Sequence, residues 1–335
     1  MSISNKTAQF LTWAVALSLA TWIIGQMPLG AALTLIAALA PWQWLAWLAL
    51  NALIIALLSY RWLVLAKTLN FPIGLFSLLR IRQAGQLVSF VTPGPQFGGE
   101  PFQVYWLWKK YSFPGFVALL AVGLDRFYEF WTNFAVLLIA VLILITTASI
   151  GGVDWQIVAA ILAGLIIVMS LLAWMLLNRP GRISKLVNRI TAPWQEHEKL
   201  KAAGAHWSRL HETLQQVVGG HKPALAYSLL VSMLAWAGML IEFWFLLEFV
   251  EVPVTIPGFV FLFVVMRLAF LMPLPGGIGS LEVALFWAFQ TLALPLSAAS
   301  ALIVLMRLRD VLILLMGAAF IPGLQKIPEQ GLSQT

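Results

Sequence analysis

Two proline- and glycine-rich strings decide how this chain folds: Pro93-Gly94-Pro95-Gln96-Phe97-Gly98-Gly99 and Pro273-Leu274-Pro275-Gly276-Gly277-Ile278-Gly279. Each interrupts a long apolar stretch, 71–113 and 257–294. Proline lacks the N–H of the helical ladder and clashes with the preceding turn, so neither stretch can be one helix. Lipid offers no partner to the backbone that such a break lays bare. Breaks survive at membrane depth only inside protein or beside a wet cavity. Both stretches are therefore predicted as re-entrant hairpins of two half-helices.

Composition supplies the membrane. Of 335 residues, 61% are hydrophobic and 10% are charged, with 20 Lys and Arg against 13 Asp and Glu. The mean hydropathy is +0.92. A soluble domain carries roughly a quarter charged residues, and disorder needs the opposite balance. Helical spans of about 20 apolar residues fall at 10–27, 42–66, 114–149, 155–178, 223–249 and 298–321. The predicted fold class is an all-α polytopic membrane protein, one domain over 1–335, with six transmembrane helices plus two re-entrant broken-helix hairpins. Lys6, the apolar run after it and Ala38-Leu39-Ala40 imitate a signal peptide. The run is too long and Pro41 follows the triplet, so it is taken as an uncleaved first span.

Charge orients these spans. The polar segment 179–222 holds eight basic residues against three acidic ones, a net +5, and is assigned to the cytoplasm. The links 151–156 and 251–257 carry Asp154 and Glu251 without Lys or Arg, and belong outside. Lys6, Lys67, Lys109, Lys110 and Lys326 then all fall inside, with both termini. Within 179–222, Ile183, Leu186, Val187 and Ile190 share one helical face while Arg182, Lys185 and Arg189 share the other. Trp207, Leu210, Leu214 and Val217 repeat the pattern, so a pair of amphipathic helices on the anionic leaflet is expected, with docking of a lipid-biosynthetic enzyme as the alternative. Arg61 and Arg80 lie near the predicted cytoplasmic surface and are expected to snorkel.

Several chemistries drop out. With no cysteine there is no disulfide framework or thiolate site. His197, His206, His211 and His221 lack ligand spacing on one face, so no metal site is expected, and no cofactor either. The net charge of +7 comes with no RRM, zinc-finger or basic-arm pattern, so no nucleic-acid partner is expected. Gly277-x-Gly279 lacks the third glycine and the preceding strand of a dinucleotide fingerprint. No Walker motif appears.

The two broken hairpins look like copies. Pro93 and Pro273 are 180 residues apart, Glu100 and Glu282 are 182, and Arg126 and Arg307 are 181. The units 10–150 and 155–322 each hold two spans, a hairpin and a third span. An odd number of crossings places the copies in opposite orientations, and the site near the midplane where the breaks meet. Half-helices starting near Gly99 and Gly277 would point free N–H groups inward, suited to phosphate or carboxylate, and with Gly98 and Gly276 they permit the close approach a headgroup needs. Arg82, Arg126, Arg267 and Arg307 could add a cationic lining, with Glu100, Asp125, Glu129, Glu242, Glu282 and Asp310 as available counter-charges. Glu100 and Glu282 follow helix starts, where a carboxylate serves either a cap or a substrate. The candidate binding set is completed by Pro275 in the second break.

At Arg82-x-x-Gly85, Thr92-Pro93-Gly94-Pro95, Gly98-Gly99-Glu100, Leu124-Asp125-Arg126 and Pro273-x-Pro275-Gly276-Gly277-Ile278-Gly279-x-x-Glu282 with Arg307, the chain resembles a known family. It is similar to the flippase-like membrane domain of lysylphosphatidylglycerol synthases and its stand-alone relatives. The resemblance covers about 10–322 and implies movement of lipids between leaflets of a prokaryotic cytoplasmic membrane. It leaves the cargo open among phospholipids, aminoacyl-phospholipids, glycolipids and isoprenoid or hopanoid lipids. Full-length synthases add a soluble aminoacyltransferase domain, and this chain stops at Thr335, so that activity is not expected. Two other classes stay open: an integral-membrane enzyme acting on a lipid headgroup, and a non-catalytic partner of a lipid-modifying enzyme. Homo-oligomerisation also stays open.

Overall fold

A computed structural model describes residues 5–92, 98–147, 152–178 and 220–325. These residues form helices, with no strand among them. The order is α1 (Asn5–Ile24), α2 (Leu29–Ala37), α3 (Pro41–Thr68), α4 (Leu75–Val91), α5 (Glu100–Tyr111), α6 (Gly115–Thr147) and α7 (Trp155–Asn178). Further along the chain come α8 (Lys222–Phe249), α9 (Ile256–Phe270), α10 (Ser280–Thr291) and α11 (Leu296–Gln325). The amphipathic faces assigned within 179–219, Lys326 and Pro93–Phe97 lie outside the described residues.

Helix ends follow local chemistry. Pro41 and Pro101 sit in first turns, where the missing N–H costs nothing. The Gln43 side chain accepts from the Ala40 N–H at 2.7 Å, and Thr255 Oγ1 caps α9 through the Gly258 N–H. At the other end of the molecule, Lys110 Nζ donates to the carbonyls of Gly323 and Leu324, satisfying the last turn of α11.

Among the described residues, four helices are long and apolar enough to cross a bilayer: Pro41–Thr68, Gly115–Thr147, Trp155–Met175 and Lys222–Phe249. A fifth appears if α1 and α2 count as one span, but they meet at a bend of 80°. Of the six expected spans, 42–66, 114–149, 155–178 and 223–249 correspond to these four. The stretch 10–27 corresponds to α1, which ends before Pro28, and the helix over 298–321 falls short of the apolar measure because it carries Arg307, Arg309 and Asp310 near its centre. The chain is thus a multi-pass helical membrane protein.

Both interrupted stretches fold back on themselves. A Cβ on Gly99 would lie 2.1 Å from the Gly85 carbonyl oxygen, and one on Gly85 would meet Gln103 at 2.7 Å, so α4 and α5 run antiparallel in direct contact. In the second hairpin, Ser280 Oγ donates to the Ala269 carbonyl at 3.0 Å. At 1.5 Å per residue, α4, α5, α9 and α10 measure only about 18–26 Å, short of the roughly 30 Å hydrocarbon core.

Helix starts recur at a near-constant spacing: 41 and 222, 75 and 256, 100 and 280, 115 and 296. Packing recurs with them. Helix α4 lies against α11 as α9 lies against α6, and α5 against α6 as α10 against α11, while α3 and α8 pack on each other. Small residues make the close approaches: Gly317 of α11 faces the Gln83 carbonyl of α4, and Gly238 of α8 faces Ile54 of α3.

Candidate functional site

The broken hairpins meet. A Cβ on Gly276 would fall 2.3 Å from the tip of the Phe90 ring at the end of α4, and φ there is +56°. Only glycine takes that conformation without strain. Gly276→Ala should therefore lose about 1–2 kcal/mol for the left-handed backbone alone, with further loss as Phe90 is displaced. A thermal unfolding midpoint in nanodiscs checks this, and an unchanged midpoint would show that the two breaks do not bear on each other.

Beside this contact lies a cavity of about 200 Å³, bordered by α3, α4, α6, α8, α9 and α11. Its charged lining consists of Arg82, Arg126, Arg267, Arg309, Glu242 and Asp310. Three of the arginines are held by carboxylates. Arg82 donates to Asp125 Oδ2 at 2.7 Å and to Glu129 Oε2 at 3.0 Å. Arg126 lies 3.2 Å from Glu129 and 3.0 Å from Glu100 Oε1, the second an ion contact without hydrogen-bond alignment. Arg309 donates to both oxygens of Glu242, at 3.2 and 3.1 Å. Glu242 also accepts from Trp47 Nε1 and Asn51 Nδ2.

Arg267 differs from the other three. Its Nη2 donates to Asn133 Oδ1 at 2.7 Å, and its guanidinium stands 4.6 Å from the centre of the Trp236 ring. Among the described residues no carboxylate lies within ion-pair distance of it, and its buried Nε has no partner. An amide and an aromatic face hold the side chain in place, while Glu129 and Glu242 act on it from beyond ion-pair distance. Among the described residues, Arg267 is therefore the arginine of the cavity lining that has no directly paired carboxylate.

Other expected site residues serve the breaks. Arg307 donates to Glu282 at 2.6 Å, to Asp310 at 3.0 Å and to the carbonyls of Gly276 and Gly277 at 3.0 and 2.9 Å. Arg307 is thus turned onto bare carbonyls and does not line the cavity, contrary to expectation. Free N–H groups at the breaks are likewise corrected. The Gly98 N–H donates to Glu100 at 2.8 Å, Gly99 to Ser89 at 2.9 Å, Gly277 to the Leu274 carbonyl and Gly279 to Glu282 at 2.7 Å. These donors are closed within the protein because unpaired backbone at membrane depth is costly. Glu100 and Glu282 each cap a half-helix and pair with an arginine at once. Pro275 is buried in the turn at Pro275–Gly277.

Arg61 is the residue that sequence placed wrongly. It does not snorkel but is 0% exposed, bound to Asp125 through Nε at 2.9 Å and Nη2 at 2.7 Å. Arg80 is half-buried, its guanidinium 4.2 Å from the Phe76 ring centre. The recurrence of helix starts contained the missed signal. At an offset of 181, Arg61 falls on Glu242 and Asn51 on Ser232. The contacts follow that pairing: Arg61 Nη1 donates to Ser232 Oγ at 3.4 Å, and Asn51 to Glu242 at 3.1 Å. Arg126 with Glu129 recurs as Arg307 with Asp310. The same register places Gln86, not Arg82, opposite Arg267.

Fold and site together define a multi-pass membrane protein with a charged core whose ions are paired across helices. The chain belongs to the family described as the lysylphosphatidylglycerol synthase TM region, which matches residues 9–317. It is similar to a UPF0104 membrane protein of Methanothermobacter thermautotrophicus, 26% identical over 268 residues that cover 76% of this chain and 77% of that protein. No solved structure matches it.

Proposed function

We propose that the protein is a lipid translocase that carries an anionic headgroup through the cavity between the two broken hairpins while the tails stay in lipid. Arg267, without a directly paired carboxylate in the cavity, carries this reading. It is a half-buried cation held by an amide and a ring, and a phosphate-bearing headgroup supplies a direct partner with bidentate geometry. The cavity, about 200 Å³, is smaller than the roughly 300–1,000 Å³ of pockets that enclose a drug-sized ligand, a size for a headgroup rather than a whole lipid. Recurrent helices α3–α6 and α8–α11 are read as an inverted repeat whose hairpins re-enter the membrane. Rocking of one set against the other would alternate access to the headgroup. In this reading both termini and the basic loop face the cytoplasm, the membrane is the prokaryotic cytoplasmic one, and no bond is made or broken.

The test is translocation of a fluorescent anionic phospholipid in proteoliposomes. Arg267→Ala removes a charge-assisted contact of about 1.5–3 kcal/mol, so headgroup affinity should fall roughly 10- to 150-fold and transport with it. Equal transport by Arg267→Ala would sink the site assignment. Chemical turnover of the lipid in detergent, without any bilayer, would instead favour an enzyme.

A further inference from the structure

A second recess lies on the other side of α9. It is about 430 Å³, formed by Leu19 of α1, Trp155 of α7, Leu268 of α9, Met272 in the break after it, and Ala284 and Trp287 of α10. Met266, Arg267 and Phe270 face the headgroup cavity, whereas Val265, Leu268 and Ala269 face this groove. At 3.6 residues per turn the two sets centre on opposite sides of the helix. The last turns of α9 are therefore a wall one helix thick, about 10–12 Å, between a polar cavity and an apolar groove.

We propose that this groove binds an acyl chain of the same lipid whose headgroup occupies the cavity, an inference that rests on the translocase reading. Apart from the indole N–H groups of Trp155 and Trp287, the side chains that line the groove are hydrocarbon, thioether and one hydroxyl. Ser280, the one hydroxyl in its lining, already donates to the carbonyls of Ala269 and Gly277 at 3.0 and 3.2 Å. Its rim is open, with Met272 52% and Trp287 37% exposed. A chain leaving the cavity has a short way round, because the helix ends at Phe270 and the Leu271–Gly279 break follows. Gly276 in that break borders the cavity, and Leu274 borders the groove. One ligand with an anionic head and an apolar tail accounts for both recesses, whereas a second copy of the chain would account only for the groove.

The experiment uses the full chain in phosphatidylglycerol vesicles doped with phosphatidylglycerol bearing a mid-chain diazirine. Photo-adducts are then mapped by peptide mass spectrometry. Adducts at Leu268, Met272 and Ala284 should exceed those at Ile161 and Ile167, on the exposed face of α7, by at least about fivefold, the ratio produced by 1 kcal/mol of preference. Equal adduct density at the two sets overturns the groove, as do protein–protein cross-links at the groove positions. Arg267→Gln should reduce groove labelling by the anionic probe and leave labelling by a diacylglycerol probe, which has no phosphate, unchanged. Labelling by both probes that ignores this substitution overturns the shared ligand. The translocation assay is scored separately: a labelled groove without transport refutes the translocase, and transport without groove labelling refutes the groove alone.

Discussion

Asp125→Ala should remove about 3–5 kcal/mol of stability, the range for breaking a buried ion pair from one side. Asp125 is 4% exposed and holds two arginines at once, Arg61 through Oδ1 and Arg82 through Oδ2, each at 2.7 Å. Those arginines are themselves 0% and 2% exposed. Without Asp125, Arg82 keeps Glu129, but Arg61 keeps only Ser232, the Asp125 backbone carbonyl and a 3.6 Å contact to Glu129. An arginine at the bilayer centre costs about 2.5–3.5 kcal/mol on insertion scales even before it is stranded. Adding Arg61→Met to Asp125→Ala should recover much of the loss, since it removes the stranded charge and keeps an apolar volume. Unfolding midpoints in nanodiscs read both variants. A single variant as stable as wild type, or a double variant no better than the single, would contradict this account of the core.

Gly99→Ala should cost about 3 kcal/mol or more, at the upper end of overpacking penalties. The added Cβ would stand 2.1 Å from the Gly85 carbonyl oxygen and 2.6 Å from Ser89 Oγ. Backbone cannot turn aside as a side-chain tip can, so α5 must separate from α4. Separation would also lengthen the 2.9 Å bond from the Gly99 N–H to Ser89 and shift Glu100 away from Arg126. Because Ser89 and Arg126 line the cavity, headgroup binding should fall together with stability. Gly123→Ala is the control. It lies within α6 with nothing within 4 Å of the new Cβ, and should be neutral or stabilising by up to about 1 kcal/mol. Equal behaviour of the two substitutions would refute the close hairpin contact.

The hairpins were legible because Pro and Gly act on the backbone locally, whatever surrounds them. Pairing of Arg126 with Glu129 and of Arg307 with Asp310 was legible too, since residues three apart share a helix face. Arg61 was not. Its side chain is anchored to Asp125 on another helix, 64 positions along the chain, and nothing local distinguishes that from a snorkelling arginine. Arg307 shows the same limit from the other side. Its position relative to the break was visible, yet whether its guanidinium faces a cavity or two carbonyls depends on how α11 is rotated.

By itself, the sequence determined what depends on composition and local backbone chemistry: a membrane setting, helices throughout, two interrupted hairpins, and recurrence near 181 residues. Only the tertiary structure decided which charges are spent on holding helices together and which remains available. That division is a matter of distances between side chains on different helices, and Coulomb energy is set by those distances. The two breaks, read first as sources of free N–H groups, turn out to be closed by Glu100, Ser89 and Glu282. The cavity arginine without a directly paired carboxylate among the described residues is instead Arg267, three residues before the end of α9.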